Sequence, residues 1–170
     1  MSAAAAAATL SRAARFWADR PVARWPEPDA LDPEMGVRAR YTANCFRELD
    51  GFLRTLLDEL APAPPGPVQR NTAGKLDRMV LAGRVLTGGP PAADCARLRA
   101  IGRSAACLLH CGGLVRRPDL IAGRWMTAGW PEAGGGMLRR YPLGDHLRPG
   151  ADDVIDVCGF FLRVGASVCG

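Results

Sequence analysis

An all-α fold, a small bundle of about four core helices with a long loop or short hairpin before the last helix, is what this chain predicts. Three observations carry that expectation. Apolar residues recur at helical spacing in four segments. Runs rich in proline and glycine separate those segments. Between residues 114 and 149 the periodicity is lost, Gly, Pro and Trp become frequent, and a last apolar segment follows.

The 170 residues suffice for one domain with a real core. Ser2 to Arg20 is Ala-rich and reads as a helix with a modest stripe of Leu10, Phe16 and Trp17. Pro21, Pro26, Pro28 and Pro33 then exclude regular helix. Residues 1–33 are therefore expected as an N-terminal helix or arm with its connector, packed on its own subunit or on another, and 34–170 as the helical domain.

The first strongly patterned helix is expected from about Pro33 to Leu60. Asp32 suits the cap and Pro33 the first helical position. Leu49, Phe52, Leu53, Leu56, Leu57 and Leu60 form its apolar face. A breaker at Ala61–Pro67 precedes a second helix, Asn71 to Leu86, with Leu76, Met79, Val80, Gly83 and Leu86 on one side and Gly88–Pro91 as its stop. A third, Ala92 to Cys111, ends at Gly112-Gly113, which suits a left-handed terminator. Short apolar runs at Leu114–Val115 and Met137–Leu143 interrupt the long excursion. The last helix, Ala151 to Val164, carries Val154, Ile155, Val157, Cys158, Phe161 and Leu162, with Asp152 and Asp153 at its positive end.

Composition narrows the function classes. No apolar run reaches the roughly 18 residues of a transmembrane helix, so no membrane partner is expected. Ala3–Ala8 lacks the basic and bulky apolar parts of a secretory signal, and the expected location is the cytoplasm. Cys45, Cys95, Cys107, Cys111, Cys158 and Cys169 are scattered and read as buried thiols, which agrees with that compartment. The net charge of +5 rests almost wholly on arginine, with Lys75 the only lysine; it permits a nucleic-acid partner without requiring one.

His110, one of two histidines, is the leading candidate for chemistry, because histidine transfers protons near neutral pH. It stands seven residues after Arg103, which puts the two within about 20° on one helical face. Leu98, Ile101, Ala105, Leu108 and Leu109 cluster on the opposite face. The Arg–His pair therefore points away from its own core, toward solvent, a partner or a substrate. The bland reading is a solvated arginine and a histidine that caps the helix end.

Arg103-Ser104-Ala105-Ala106-Cys107-Leu108-Leu109-His110, followed by Gly112-Gly113, resembles the signature of HEPN domains (higher eukaryotes and prokaryotes nucleotide-binding). That signature is an Arg followed by a polar residue, with four to six residues between the Arg and a His near a helix end. Six intervene here, and Ala105 stands where the better-known spacing puts its Arg. Tyr141–Leu147 and the last apolar helix also look similar, and the resemblance spans Met35 to Val164. It implies a metal-independent RNA endonuclease of a toxin or phage-defence type, acting as a homodimer, without cofactor or metal. RNA and a cognate antitoxin or partner protein are the implied partners. His110 would act as general base toward a ribose 2′-OH or as acid toward the leaving oxygen. Arg103 would hold the phosphate with its fork of donors, and Ser104 would hydrogen-bond it. The alternatives are a non-catalytic HEPN-like module binding protein or nucleotide, and an unrelated helical protein.

Other combinations are weaker. Cys107 and Cys111 face about 60–100° away from His110 and lack a second close pair to complete a zinc set. Asp145-His146 reads as a turn rather than an acid–base pair. Gly134–Gly136 has no following lysine of a phosphate loop. Trp125 and Trp130, beside Arg124, suit an aromatic cluster at the bundle's end or a platform for bases.

Overall fold

The computed structural model describes residues 2–20, 35–61, 71–83, 91–133 and 135–170. Over these the chain forms α1 (Ala3–Asp19), α2 (Met35–Leu60), α3 (Thr72–Leu81), α4 (Pro91–Cys111), β1 (Trp125–Pro131), β2 (Leu138–Pro142) and α5 (Ala151–Cys169). The expected helical bundle is present, with one antiparallel hairpin between α4 and α5. The Asp32–Pro33 cap, Leu86 and the stop at 88–90 lie outside the described residues.

α4 is the central helix and packs against α2, α3 and β1. Leu98, Ile101, Ala105 and Leu108 are buried and Leu109 is half-buried, as the apolar stripe requires. In α2, Leu49, Leu53, Leu56 and Leu57 are buried. α5 runs beyond Val164 to Cys169, and Gly165 is the reason it matters there. A Cβ at that position would come within 2.7 Å of Leu10 Cδ2, so glycine lets α1 lie directly on α5. Ala6, Leu10, Ala14 and Trp17 of α1 join the same core as the other helices. The N-terminal helix thus packs on its own chain.

Ion pairs staple the elements. Arg97 bonds the Gly129 carbonyl and pairs with Asp156, tying α4 to β1 and α5. Arg163 pairs with the buried Asp94 at 2.8 Å, also joining α5 to α4. Asp153 accepts the Gly150 N–H at 2.9 Å and pairs with Arg139 of β2, which seats the start of α5 on the hairpin. All six cysteines are free thiols; four are buried, Cys111 is half-buried and Cys169 is exposed. Cys45 and Cys158 face each other across α2 and α5, and their hydrogen bond together with burial holds the Cys45 thiol far above its ordinary range.

α4 stops as expected. Gly112 and Gly113 take φ of +58° and +90°, and Gly113 N–H turns back to the Cys107 carbonyl at 3.1 Å. The following chain is then fixed by Val115 N–H to the Asp145 carbonyl and by Leu147 N–H to the Gly113 carbonyl. The hairpin pairs Trp125 with Pro142, Met126 with Tyr141 and Thr127 with Arg140, then shifts register before Pro131 meets Leu138. Trp130 fills the space between Phe46 and Tyr141 in the core.

Candidate functional site

The face of α4 that the Arg–His spacing singles out is the face left uncovered by the chain's own core. His110 is exposed and the Arg103 side chain is 39 % exposed. Their surroundings differ. His110 stands in a groove of about 690 Å³ between α2 and α4, lined by Asn44, Arg47, Glu48, Asp50 and Arg54 from α2 and by Gly102, Ala106 and His110 from α4. Arg103 is not on that lining. Its Nε lies 2.9 Å from Asp119 Oδ1, in the chain that leads to β1. Asp119 also accepts from the Thr127 N–H at 3.0 Å and from the Thr127 hydroxyl. Arg103 therefore closes a small network that anchors the entrance to the hairpin against α4.

Ser104 lies in the core. Its exposure is 0 %, and its hydroxyl accepts the Gly129 N–H at 3.2 Å. It fixes β1 on α4 and is not presented to a ligand in this conformation. The close approach also explains Gly129, where a Cβ would come within 2.8 Å of Ile101 Cα. Of the three residues singled out by the motif, one lines the groove, one anchors a loop and one is sealed in the core.

The groove's α2 wall was not legible from a motif on α4. Asn44, Arg47 and Arg54 are exposed on α2, whereas Asp50 is half-buried at its edge. The Thr72 hydroxyl donates to the Asp50 main-chain carbonyl at 3.4 Å. Burial pushes the Asp50 carboxyl above its ordinary value, against the opposing pull of Thr72 and Arg54. Arg54 thus already lies in the field of a carboxylate. Arg47 has no ion pair among the described residues, which leaves it as the arginine most open to an incoming anion.

The remaining candidates separate cleanly. Cys107 is buried and its thiol donates to the Leu114 carbonyl at 3.3 Å; burial, then the neighbouring Cys111, pushes it up to about 11. Such a thiol is a poor nucleophile and metal ligand near neutral pH. The His146 N–H donates to Asp145 Oδ1 at 2.7 Å, and His146 forms an isolated bridge with Leu114, so this pair builds the turn before α5. Trp130 is a core residue and Trp125 an exposed one.

The groove thus sets a histidine on one wall against two arginines, an amide and the carboxyl groups of Glu48 and Asp50 on the other. No protein-family model matches this chain, and no curated protein or solved structure matches it either.

Proposed function

We propose that this chain is a HEPN-like helical protein whose α2–α4 groove binds and cleaves RNA in the cytoplasm. The observation that carries the reading is His110, exposed in a groove that also holds Arg47, Arg54 and Asn44. In this reading His110 takes the proton of a ribose 2′-OH, the 2′ oxygen attacks the adjacent phosphorus, and the bond from phosphorus to the 5′ oxygen breaks. The departing oxygen takes a proton from water, which leaves a 2′,3′-cyclic phosphate and a free 5′-OH. The developing negative charge on the phosphoryl oxygens is met by Arg47, with Arg54 contributing less because Asp50 faces it. Asn44 supplies a neutral donor to the same phosphate. Arg103 becomes a positioning residue, since its tie to Asp119 sets the chain that continues from the end of α4. The uncovered face of α4 is the proposed contact of a homodimer, and a cognate antitoxin would cover the same face.

A non-catalytic HEPN-like binding module is the second reading. The specific observations that favour it are the Arg103–Asp119 pair and the burial of Ser104, which commit two of the three motif groups to the fold.

The two readings part in one assay. Purified protein is incubated with mixed RNA in chelator, beside His110→Ala, Arg47→Ala and Arg103→Ala. Nuclease activity predicts cleavage by wild type, a loss of about 10²–10⁴-fold in His110→Ala, and an unchanged melting temperature for that exposed position. Arg103→Ala should lower the melting temperature as well as the rate. Wild type that cleaves nothing above the His110→Ala control, while still binding RNA through Arg47, removes the enzyme and leaves the binding module.

A further inference from the structure

Away from the groove, one end of the hairpin exposes apolar side chains that the core does not use. Leu120 is 75 % exposed, Ile121 106 %, Trp125 51 % and Leu143 46 %. They belong to one structural corner. Residues 120–123 form a tight turn closed by Gly123 N–H to the Leu120 carbonyl at 2.8 Å. Asp119 N–H to the Trp125 carbonyl, at 3.0 Å, fastens the turn to the start of β1. Leu143 N–H to the Arg124 carbonyl, also at 3.0 Å, sets Leu143 beside them, next to the Trp125–Pro142 pair. Isolated exposed apolar residues are common on protein surfaces, whereas four whose backbones meet at one end of the hairpin suit a contact with an apolar partner.

The charges around the corner are mostly of one sign. Arg116 and Arg117 lead into the turn, Arg124 follows it, and Arg140 shares the outward hairpin face with Trp125; all four are exposed. None of them has an ion pair among the described residues. Of the acids nearby, Asp119 is held by Arg103 and Thr127, which leaves the exposed Asp145 as the opposing charge.

We infer that the Leu120–Trp125 turn, with Leu143, is a docking corner for an anionic lipid surface. Leu120 and Ile121 would enter the acyl boundary, Trp125 would sit at headgroup level, and the four arginines would meet the lipid phosphates. This is lying on a membrane rather than crossing it. Among the described residues no helix is long and apolar enough to cross one. The pattern selects against two other occupants. A single-stranded nucleic acid would use Trp125 and the arginines, but it gains nothing from a projecting aliphatic pair with neither a π face nor a donor. A second copy meeting the same corner across a two-fold axis would bring both arginine clusters together.

The test is co-sedimentation of the whole chain with vesicles of phosphatidylcholine alone and of phosphatidylcholine with phosphatidylglycerol. The expected result is binding to the anionic vesicles only, weakened by added salt. Leu120→Ser/Ile121→Ser should reduce that partition about tenfold or more with an unchanged circular dichroism spectrum and melting temperature, since both side chains are exposed. Brominated lipid should quench tryptophan emission in wild type and markedly less in Trp125→Phe. Three results would overturn the inference. One is absence of binding to anionic vesicles, including the case where polyuridylate binds instead and is lost in Trp125→Ala. Another is partition that the double serine variant leaves unchanged. The third is a double variant that changes only the oligomeric state.

Discussion

Removing the Ser104 hydroxyl tests whether that residue serves the fold or a ligand. In Ser104→Ala the Gly129 N–H loses the acceptor it meets at 3.2 Å, in a place with no access to water. A buried donor left unsatisfied costs about 1–3 kcal/mol. For a chain of this size each kcal/mol corresponds to about 2–4 °C in melting temperature, so the expected fall is about 2–12 °C. The alanine itself adds no strain, because Ala105 and Leu108 already form an apolar wall beside it. Ser104→Cys keeps a weak acceptor and should recover part of the loss. Calorimetry on the three proteins reads the stability, and RNA binding measured well below the lowest melting temperature reads the site. Binding should be unchanged in both variants. A Ser104→Ala protein that melts like wild type but no longer binds or cleaves RNA would refute the structural role and return the hydroxyl to the ligand.

Gly129→Ala should be more damaging than Ser104→Ala, because the added Cβ meets Ile101 Cγ1 and lies 2.8 Å from Ile101 Cα in a helix that cannot yield. Overpacking of this kind costs about 1–3 kcal/mol or more, read as a lower urea midpoint. Asp50→Asn should stabilise the protein at neutral pH. Its folded-state carboxyl is raised, so its stabilising contribution is complete below the ordinary carboxylate range and lost as pH rises through the folded value. The variant's advantage should therefore shrink as thermal unfolding is followed down to about pH 4. An Asn variant that is less stable at pH 7 would show that Arg54 outweighs burial.

The helices were legible because each buries a stripe on its own spacing. Leu49, Leu53, Leu56 and Leu57 mark α2, and Leu98, Ile101, Ala105 and Leu108 mark α4. The end of α5 was not, since the apolar period was followed only to Val164, and Gly165 gains its role only where Leu10 of α1 packs on it. The hairpin was legible only as an alternative to a loop, from lost helical period and the short apolar run Met137–Leu143 that contains β2. Its β1 buries Ala128, Gly129 and Trp130 in succession, which erases the alternation that identifies a strand. The site was legible in part. The uncovered face of α4 and the exposure of His110 follow from a 100° turn per residue. The same arithmetic puts Ser104 about 40° from Leu108 and about 60° from Ile101, inside the buried stripe, so its burial also follows from the helical period. Asn44, Arg47 and Arg54 were beyond reach, because no spacing within one helix tells which face of another will lie across from it.

The contact of Leu10 with Gly165 joins the first helix to the last and so bears on when, rather than how firmly, the chain becomes native. During synthesis α1 emerges long before α5, and its Leu10 and Ala14 have only part of their packing surface until the C-terminal segment leaves the ribosome. Contacts of such wide sequence separation are slow to form. α1 can settle on α2 early, and α5 is the late element that completes its packing. In that interval the apolar side of α1 that α5 will cover is open to other nascent chains, and transiently exposed apolar surface of this kind favours aggregation.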